Sequence, residues 1–256
     1  MTEQINHQVL IINSLDRVEG SSTNFKVSYN NTGIQNLKKI VIKQISIPWT
    51  FYNIDEYNNK LVFFNGVTNI VITVPIGNYS INTLVTYINS TAEAVAVGLQ
   101  LTIPTPNVNS KLLFTSTSII TLYGSSISTI FKEVGLDKND NVIGGVNILL
   151  APAVWNLSGH TTIYIRSNSL IHDVQTIDSR QGNTNIMITV PIKNVAYGEI
   201  LHWESPEEEQ YDIHFNTHSR AGGKSIIKPD IRITDRFGNV LNSNGSDVII
   251  IFKMYS

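Results

Sequence analysis

Short runs rich in Ile, Val, Thr and aromatic residues recur along the chain, each closed within a few residues by Asn, Gly, Ser or Pro. That punctuation specifies strands joined by turns and constrains the fold more than any other feature. The clearest runs are Val9 to Asn13, Phe25 to Tyr29, Lys39 to Ile47, Leu61 to Phe64, Ile70 to Val74, Thr161 to Ile171, Ile186 to Ile192, Tyr211 to Phe215, Ile226 to Thr234 and Val248 to Phe252. In the third, Ile40, Ile42, Ile45 and Ile47 do not keep one parity. Either a bulge re-aims the strand after Lys43 or both of its faces are buried. Pro48, Pro75 and Pro191 each close a β-branched run, where a residue lacking a backbone donor ends the ladder. The segment Asp235-Arg236-Phe237-Gly238-Asn239 separates two Ile/Val-rich runs and reads as a hairpin turn.

The middle of the chain has a different period. Ile81, Leu84, Val85 and Ile88 have helical spacing, with Ser80 as N-cap and Asn82 as the weaker alternative. A second helix is expected over Ser126 to Val134, with Ile127, Ile130, Phe131 and Val134 on one face and Gly135 past its end. Between them lie strand candidates at Leu99 to Ile103, Lys111 to Thr115 and, more weakly, Ile119 to Leu122. The simplest organisation is one β-sandwich built from residues 1–76 and 157–256, with a small α+β unit over residues 77–156 inserted in a loop. The segment from Asn69 to Asn78 nearly repeats in Asn185 to Asn194, but the likeness stops at both ends and reads as coincidence in a chain of this composition.

Composition narrows the function classes. The 256 residues include no Cys and are only 15% charged, with a net charge of -2. Disulfides, thiolate catalysis and Cys-ligated metals are thereby removed. No whole-molecule field attracts nucleic acid or an acidic membrane, so no specific nucleic-acid partner is expected. The start, Met1 to His7, has no secretory pattern, and no apolar run approaches the roughly 18 residues of a membrane helix, so a soluble chain without a membrane span is expected. Ile and Asn supply about a quarter of the chain, a bias that an AT-rich genome produces.

Catalytic and ligand signals fail on context. His214 and His218 are four apart, but on a strand that spacing separates them by about 13 Å; His202 near Glu204 is the other zinc thought. Asp137-Lys138-Asn139-Asp140-Asn141 begins like a calcium loop, but Val142 stands where Gly is needed and Ile148 where a bidentate Glu is needed. Glu207-Glu208-Glu209 reads as a solvated loop. Gly144-Gly145 has no phosphate-loop context, and Gly222-Gly223-Lys224-Ser225 lacks the first glycine, since position 218 is His218. No GxSxG elbow occurs. Sequons at Asn30, Asn78, Asn89, Asn156 and Asn244 are expected by chance here. Lys38-Lys39 and Lys224 to Lys228 are the densest basic places, and neither interleaves with aromatics. No catalytic, cofactor-binding or metal residues are assigned, no cofactor is expected, and the reading is not an enzyme.

A family order is nonetheless visible. Ile12-Asn13-Ser14 is followed by Asp16-Arg17, a polar loop and Phe25-Lys26-Val27. Ile45-Ser46-Ile47-Pro48 is followed by Phe51-Tyr52-Asn53-Ile54, an Asn-containing hairpin and Pro75-Ile76-Gly77-Asn78-Tyr79-Ser80. Then come Phe131-Lys132-Glu133-Val134-Gly135-Leu136, Ile231-Arg232-Ile233-Thr234-Asp235, Gly238-Asn239 and a last strand after Asp247. This order resembles the penton and penton-like minor capsid proteins of virophages, Polinton-like viruses and large nucleocytoplasmic DNA viruses. One departure is Val134-Gly135-Leu136, where the family pattern implies Leu-Gly-Phe. The resemblance implies a mainly β protein, a single jelly roll split in sequence by an α+β insertion domain. It further implies a homopentamer that closes the fivefold vertices of an icosahedral virion against major capsid protein capsomers, assembled in the host cytoplasm or viral factory. The rival reading is a viral fibre head or glycan-binding module that meets a host receptor, for which Trp155, Trp203, Tyr57 and Tyr123 are the candidate loop aromatics. A third, a secreted β-sandwich hydrolase, lacks a signal and a carboxylate pair.

Overall fold

The computed structural model describes residues 7–29, 34–106, 108–170, 177–178, 182–183, 185–205, 212–214 and 224–255. It divides into two compact units, Met1–Phe51 with His160–Ser256, and Tyr52–Gly159. Unit 1 begins with β1 (His7–Asn13), β2 (Arg17–Gly20), β3 (Asn24–Val27), β4 (Ile34–Leu37) and β5 (Lys39–Pro48). Unit 2 holds β6 (Lys60–Phe64), β7 (Asn69–Thr73), α1 (Ile81–Ser90), α2 (Ala92–Val97), β8 (Gln100–Thr102), β9 (Leu113–Thr115), β10 (Ile120–Leu122), β11 (Asn141–Ile143) and β12 (Leu149–Leu150). Unit 1 resumes with β13 (Thr162–Arg166), β14 (Ile177–Asp178), β15 (Gly182–Asn183), β16 (Ile186–Pro191), β17 (Ile200–Glu204), β18 (Asp212–His214), β19 (Lys224–Ile226), β20 (Asp230–Thr234) and β21 (Ile249–Tyr255).

Two antiparallel sheets make unit 1: β1-β21-β5-β17, with β18 also on β5, and β16-β13-β20-β3-β2. Short pairs β14-β15 and β19-β4 complete it. Take β1, β3, β5, β13, β16, β17, β20 and β21 as first to eighth in chain order. One sheet then runs first, eighth, third, sixth, and the other runs second, seventh, fourth, fifth. That is the jelly-roll order. Alternate residues of the two sheets meet in one core: Ile12, Ile42, Ile45, Ile250 and Phe252 from the first face Phe25, Ile163, Ile165, Ile188 and Ile231 from the second.

The parity break in β5 is a bulge. Ile251 pairs with Gln44 and Phe252 with Ile42, leaving Lys43 as the extra residue, so Ile40, Ile42, Ile45 and Ile47 all reach the core. The bulge also divides the free side of β5 between two partners. β17 pairs with Gln44 to Pro48 and β18 with Lys39 to Val41, while the Ser205 N–H donates to the Lys43 carbonyl at 3.0 Å.

Unit 2 wraps α1 and α2 with the sheets β11-β10-β6-β7 and β12-β9-β8 around its own core, which includes Leu61, Phe63, Ile72, Leu84, Ile88, Leu101, Phe114 and Val134. α1 begins as expected: Ser80 caps it, and with Thr83 it forms a reciprocal capping box. α2, which the sequence reading did not anticipate, starts on Thr91 and ends at Gly98 in the left-handed conformation.

The structure differs from expectation in four places. The division falls after Phe51 and after Gly159, not at 76/77 and 156/157. β6 pairs with β7 and with β10, not with the C-terminal strands, and Ile54 exchanges backbone hydrogen bonds with Gly77. Strand composition shows which face is buried but not which sheet is joined. The helix over Ser126 to Val134 does not form, because its polar side chains serve β6 instead. Ser128 Oγ accepts from Val62 N at 2.9 Å, Thr129 Oγ1 accepts from Lys60 N at 3.0 Å, and the N–H groups of Thr129 and Ile130 both donate to Lys60 O. Ile130 and Val134 are still buried, in a turn that closes at Gly135 with φ of +79°. Finally, the turn at Asp235 to Asn239 forms, with the Asp235 N–H donating to Asn239 O at 2.9 Å, but the runs it separates do not pair, because β21 crosses to the other sheet.

Candidate functional site

The sequence singled out chemistry that the structure disperses. His202 Nδ1 lies 3.3 Å from Ser46 Oγ and its Nε2 lies 3.0 Å from Glu204 Oε1, a row of serine, histidine and carboxylate across paired strands. The row lies on an open sheet face, with His202 and Glu204 side chains half exposed or more. The β17 and β5 backbones beside it are engaged in their ladder and offer no free donor pair to a reacting group. Asp137 and Asp140 are spent on turns: Asp137 Oδ1 accepts from Asn139 N at 2.8 Å, and Asp140 Oδ1 accepts from Gly124 N at 3.0 Å and Ser126 Oγ at 2.8 Å. Among the described residues no group of three or more His, Asp or Glu is placed to hold a metal. His218, Glu207 to Glu209, Gly222-Gly223 and the Asn30 sequon lie outside the described residues, as does the side chain of His214.

The aromatics of the rival reading are divided between the two units. Trp203 packs against the unit 1 core and Trp155 against the unit 2 core. Tyr57 is exposed, and the Tyr123 hydroxyl donates to Asn69 Oδ1 at 3.2 Å.

What unit 1 offers is a surface. On the solvent side of the first sheet, directly paired residues form rows: Ile11 beside Ile251, then Gln44, then Glu204; and Asn13 beside Ile249, then Ser46, then His202. On the β1-β21 half, Val9, Ile11, Ile249 and Ile251 make an aliphatic strip, with Lys253 opposite Val9 and Asn13 at its end. Val9 is 59% exposed and Ile11 61%, at positions that an isolated sandwich fills with polar residues. The β5-β17 half carries Gln44, Ser46, His202 and Glu204, with Ile200 exposed at its end. Beside the second sheet, Glu19 lies between Lys26 at 2.7 Å and Lys228 at 3.7 Å. The ion pair holds the Glu19 carboxyl below its usual range.

Two partly buried carboxylates escaped the sequence reading. Asp230 clamps the loop after β13: its oxygens accept from Ser167 Oγ and from the N–H groups of Asn168 and Ser169, the last at 2.7 Å. Burial alone would raise this carboxyl, but the hydrogen bonds outweigh it and the group lies below its ordinary value. In unit 2, Glu133 Oε1 accepts from Asn58 Nδ2 at 3.0 Å while Oε2 is buried with no hydrogen-bond partner among the described residues. Burial, with a smaller contribution from the Asp55 charge, pushes Glu133 up to about 7 against the opposing pull of its hydrogen bonds and Lys132. The local signal was a lone acid among Phe131, Val134 and Leu136.

Comparison with known proteins adds a likeness at the level of the whole chain. No family model matches, and no curated protein matches. Among solved structures the chain is similar to the mavirus penton protein, with 10% sequence identity and a TM-score of 0.47 over 96% of this chain and 99% of that one.

Proposed function

We propose that this chain is a viral capsid protein, a penton whose copies form a homopentamer at the fivefold vertices of an icosahedral virion, flanked by major capsid protein capsomers. The observation that carries this reading is the strand order of unit 1, a jelly roll whose third-to-fourth connection is opened by unit 2, in agreement with the motif order read from the sequence. The exposed aliphatic strip of β1 and β21 supports it, because uncharged and apolar faces desolvate at low cost against other subunits. Its role is structural, and it needs no cofactor. In a ring each copy presents two different faces to its neighbours, so the contact is head-to-tail and closes after five copies. Each contact is expected to bury at least about 1,000 Å². Native mass spectrometry of the full chain and density in an intact particle test the proposal. Five copies around fivefold axes are expected; stable trimers there, or a position away from those axes, would overturn it.

A further inference from the structure

The end of unit 2 opposite its own chain crossings carries a group of exposed aliphatic side chains that the capsid reading does not use. Register fixes their placement. Phe64 pairs with Asn69 and with Thr121, and Ile120 pairs with Ile143. The connection 65–68, residues 118–119 and the connection 144–147 therefore leave the β11-β10-β6-β7 sheet at one end. Lys60 and Thr73 pair at the other end, and next to them lie the Asn59 and Val74 contact and the Ile54 and Gly77 bridge. Each connection at the far end presents one β-branched residue almost wholly to water: Val67 at 87%, Ile119 at 71% and Val146 at 96%, with Ile148 beside them at 63%.

Three features separate this tip from an ordinary polar loop cluster. Asn65 to Thr68, Ser116 to Ile119 and Gly144 to Ile148 contain no charged residue. Their turns satisfy much of their own backbone: Asn65 Oδ1 accepts from the N–H groups of Val67 and Thr68 at 2.9 Å, Asn65 N donates to Thr68 O at 3.2 Å, and Gly144 and Asn147 exchange both bonds at 2.9 and 3.1 Å. Two of the connections are also tied to their surroundings. A Cβ on Gly144, at φ of +121°, would meet the Ser118 carbonyl oxygen at 2.1 Å, so only glycine lets those two connections touch. Ser116 Oγ, Thr117 Oγ1 and Ser118 N all donate to Val97 O at the end of α2.

We infer that this tip inserts its aliphatic side chains into the hydrocarbon surface of a lipid bilayer. Turns that pair much of their own backbone and carry no charge lower the cost of leaving water, which favours shallow insertion at the headgroup level. Separate protruding side chains suit a fluid that closes around each of them, whereas a protein partner would need a groove matched to all of them. With no basic residue in the three connections, binding depends on apolar burial and not on lipid charge. The inference rests on unit 2 alone and stands or falls apart from the pentamer.

Flotation of the full chain with neutral phosphatidylcholine vesicles tests it. The protein is expected to float, equally in 0.15 and 0.5 M salt by the screening argument. The double variant Val67→Asp, Val146→Asp is expected to float at least about tenfold less, with an unchanged thermal midpoint because both positions are exposed. Because the chain has no cysteine, Val146→Cys can carry a single polarity-sensitive dye. Its emission should shift to the blue on adding vesicles, while the same dye at Thr73→Cys, at the opposite end, should not respond. No flotation above the vesicle-free control, the result a protein-groove partner would give, would overturn the inference. Equal flotation of the double variant, loss of flotation in salt, or a shift at both dye positions would also overturn it.

Discussion

Asp230 and Glu133 are both acids in largely apolar stretches, and their surroundings push them in opposite directions. Asp230 receives four donor contacts from residues 167–169, so its folded form titrates below the unfolded value of 3.8. Its contribution is present above that value and is lost as the pH falls through the folded one. Asp230→Ala strands those donors and is expected to cost about 2 kcal/mol, read as a lower denaturation midpoint at pH 7 with the difference shrinking in strong acid. Glu133 is the reverse case. Its folded value of about 7 lies above the unfolded 4.5, so stability is greatest below the unfolded value, declines as the pH rises toward 7, and is flat above. The full difference is at most about 3 kcal/mol. Glu133→Gln keeps an acceptor for Asn58 and carries no charge, so it should flatten this profile and raise the thermal midpoint at pH 8 while leaving it nearly unchanged at pH 4.5. A variant with the wild-type profile would show that Glu133 is not the titrating group. Neither role was legible in sequence, because the groups that decide it lie about 60 to 75 residues away.

At the scale of elements, legibility followed whether the deciding partner was local. The start of α1 was readable because Ser80 and Thr83 cap each other three residues apart. The stretch from Ser126 to Val134 had an equally good apolar spacing, yet Ser128 and Thr129 bond to Val62 and Lys60 across the fold and the helix is lost. The bulge in β5 was readable as one of two options, since four Ile residues of mixed parity must share a core or face two. It yields a sharp prediction. Deleting Lys43 leaves Ile40, Ile42, Ile45 and Ile47 in strict alternation, so the variant should unfold cooperatively with a loss of only about 1 kcal/mol from the Ser205 contact. Deleting Ser46 turns Ile47 to the solvent face and should abolish the cooperative transition. If both deletions behave alike in denaturant titration, the register is not what holds this sheet.

At the scale of the whole molecule, the β-rich ends and mixed middle were legible because composition changes along the chain. The true boundaries were not, because β6 and β7 have the same composition as the strands of unit 1 while their Leu61, Phe63 and Ile72 belong to the unit 2 core. The structure makes the split testable. Asn53 Nδ2 donates to Leu157 O at 3.1 Å, and a Cβ on Gly159 would lie 3.5 Å from the Asn53 Cα, so the two crossings of the chain are in contact. A few glycines can therefore replace residues 54–158 without stretching either end. What remains is roughly 150 residues with its own core, a size that buries about two thirds of its unfolded surface. This excised chain is expected to unfold in one cooperative step, as a closed two-sheet core should. If the ring contacts lie on the jelly roll, it should keep the stoichiometry of the full chain in native mass spectrometry, and without the tip of unit 2 it should no longer float with vesicles. A chain that precipitates, or that shows sheet content without a cooperative transition, would mean that unit 1 depends on unit 2 for its stability and that the jelly roll is not an independent fold.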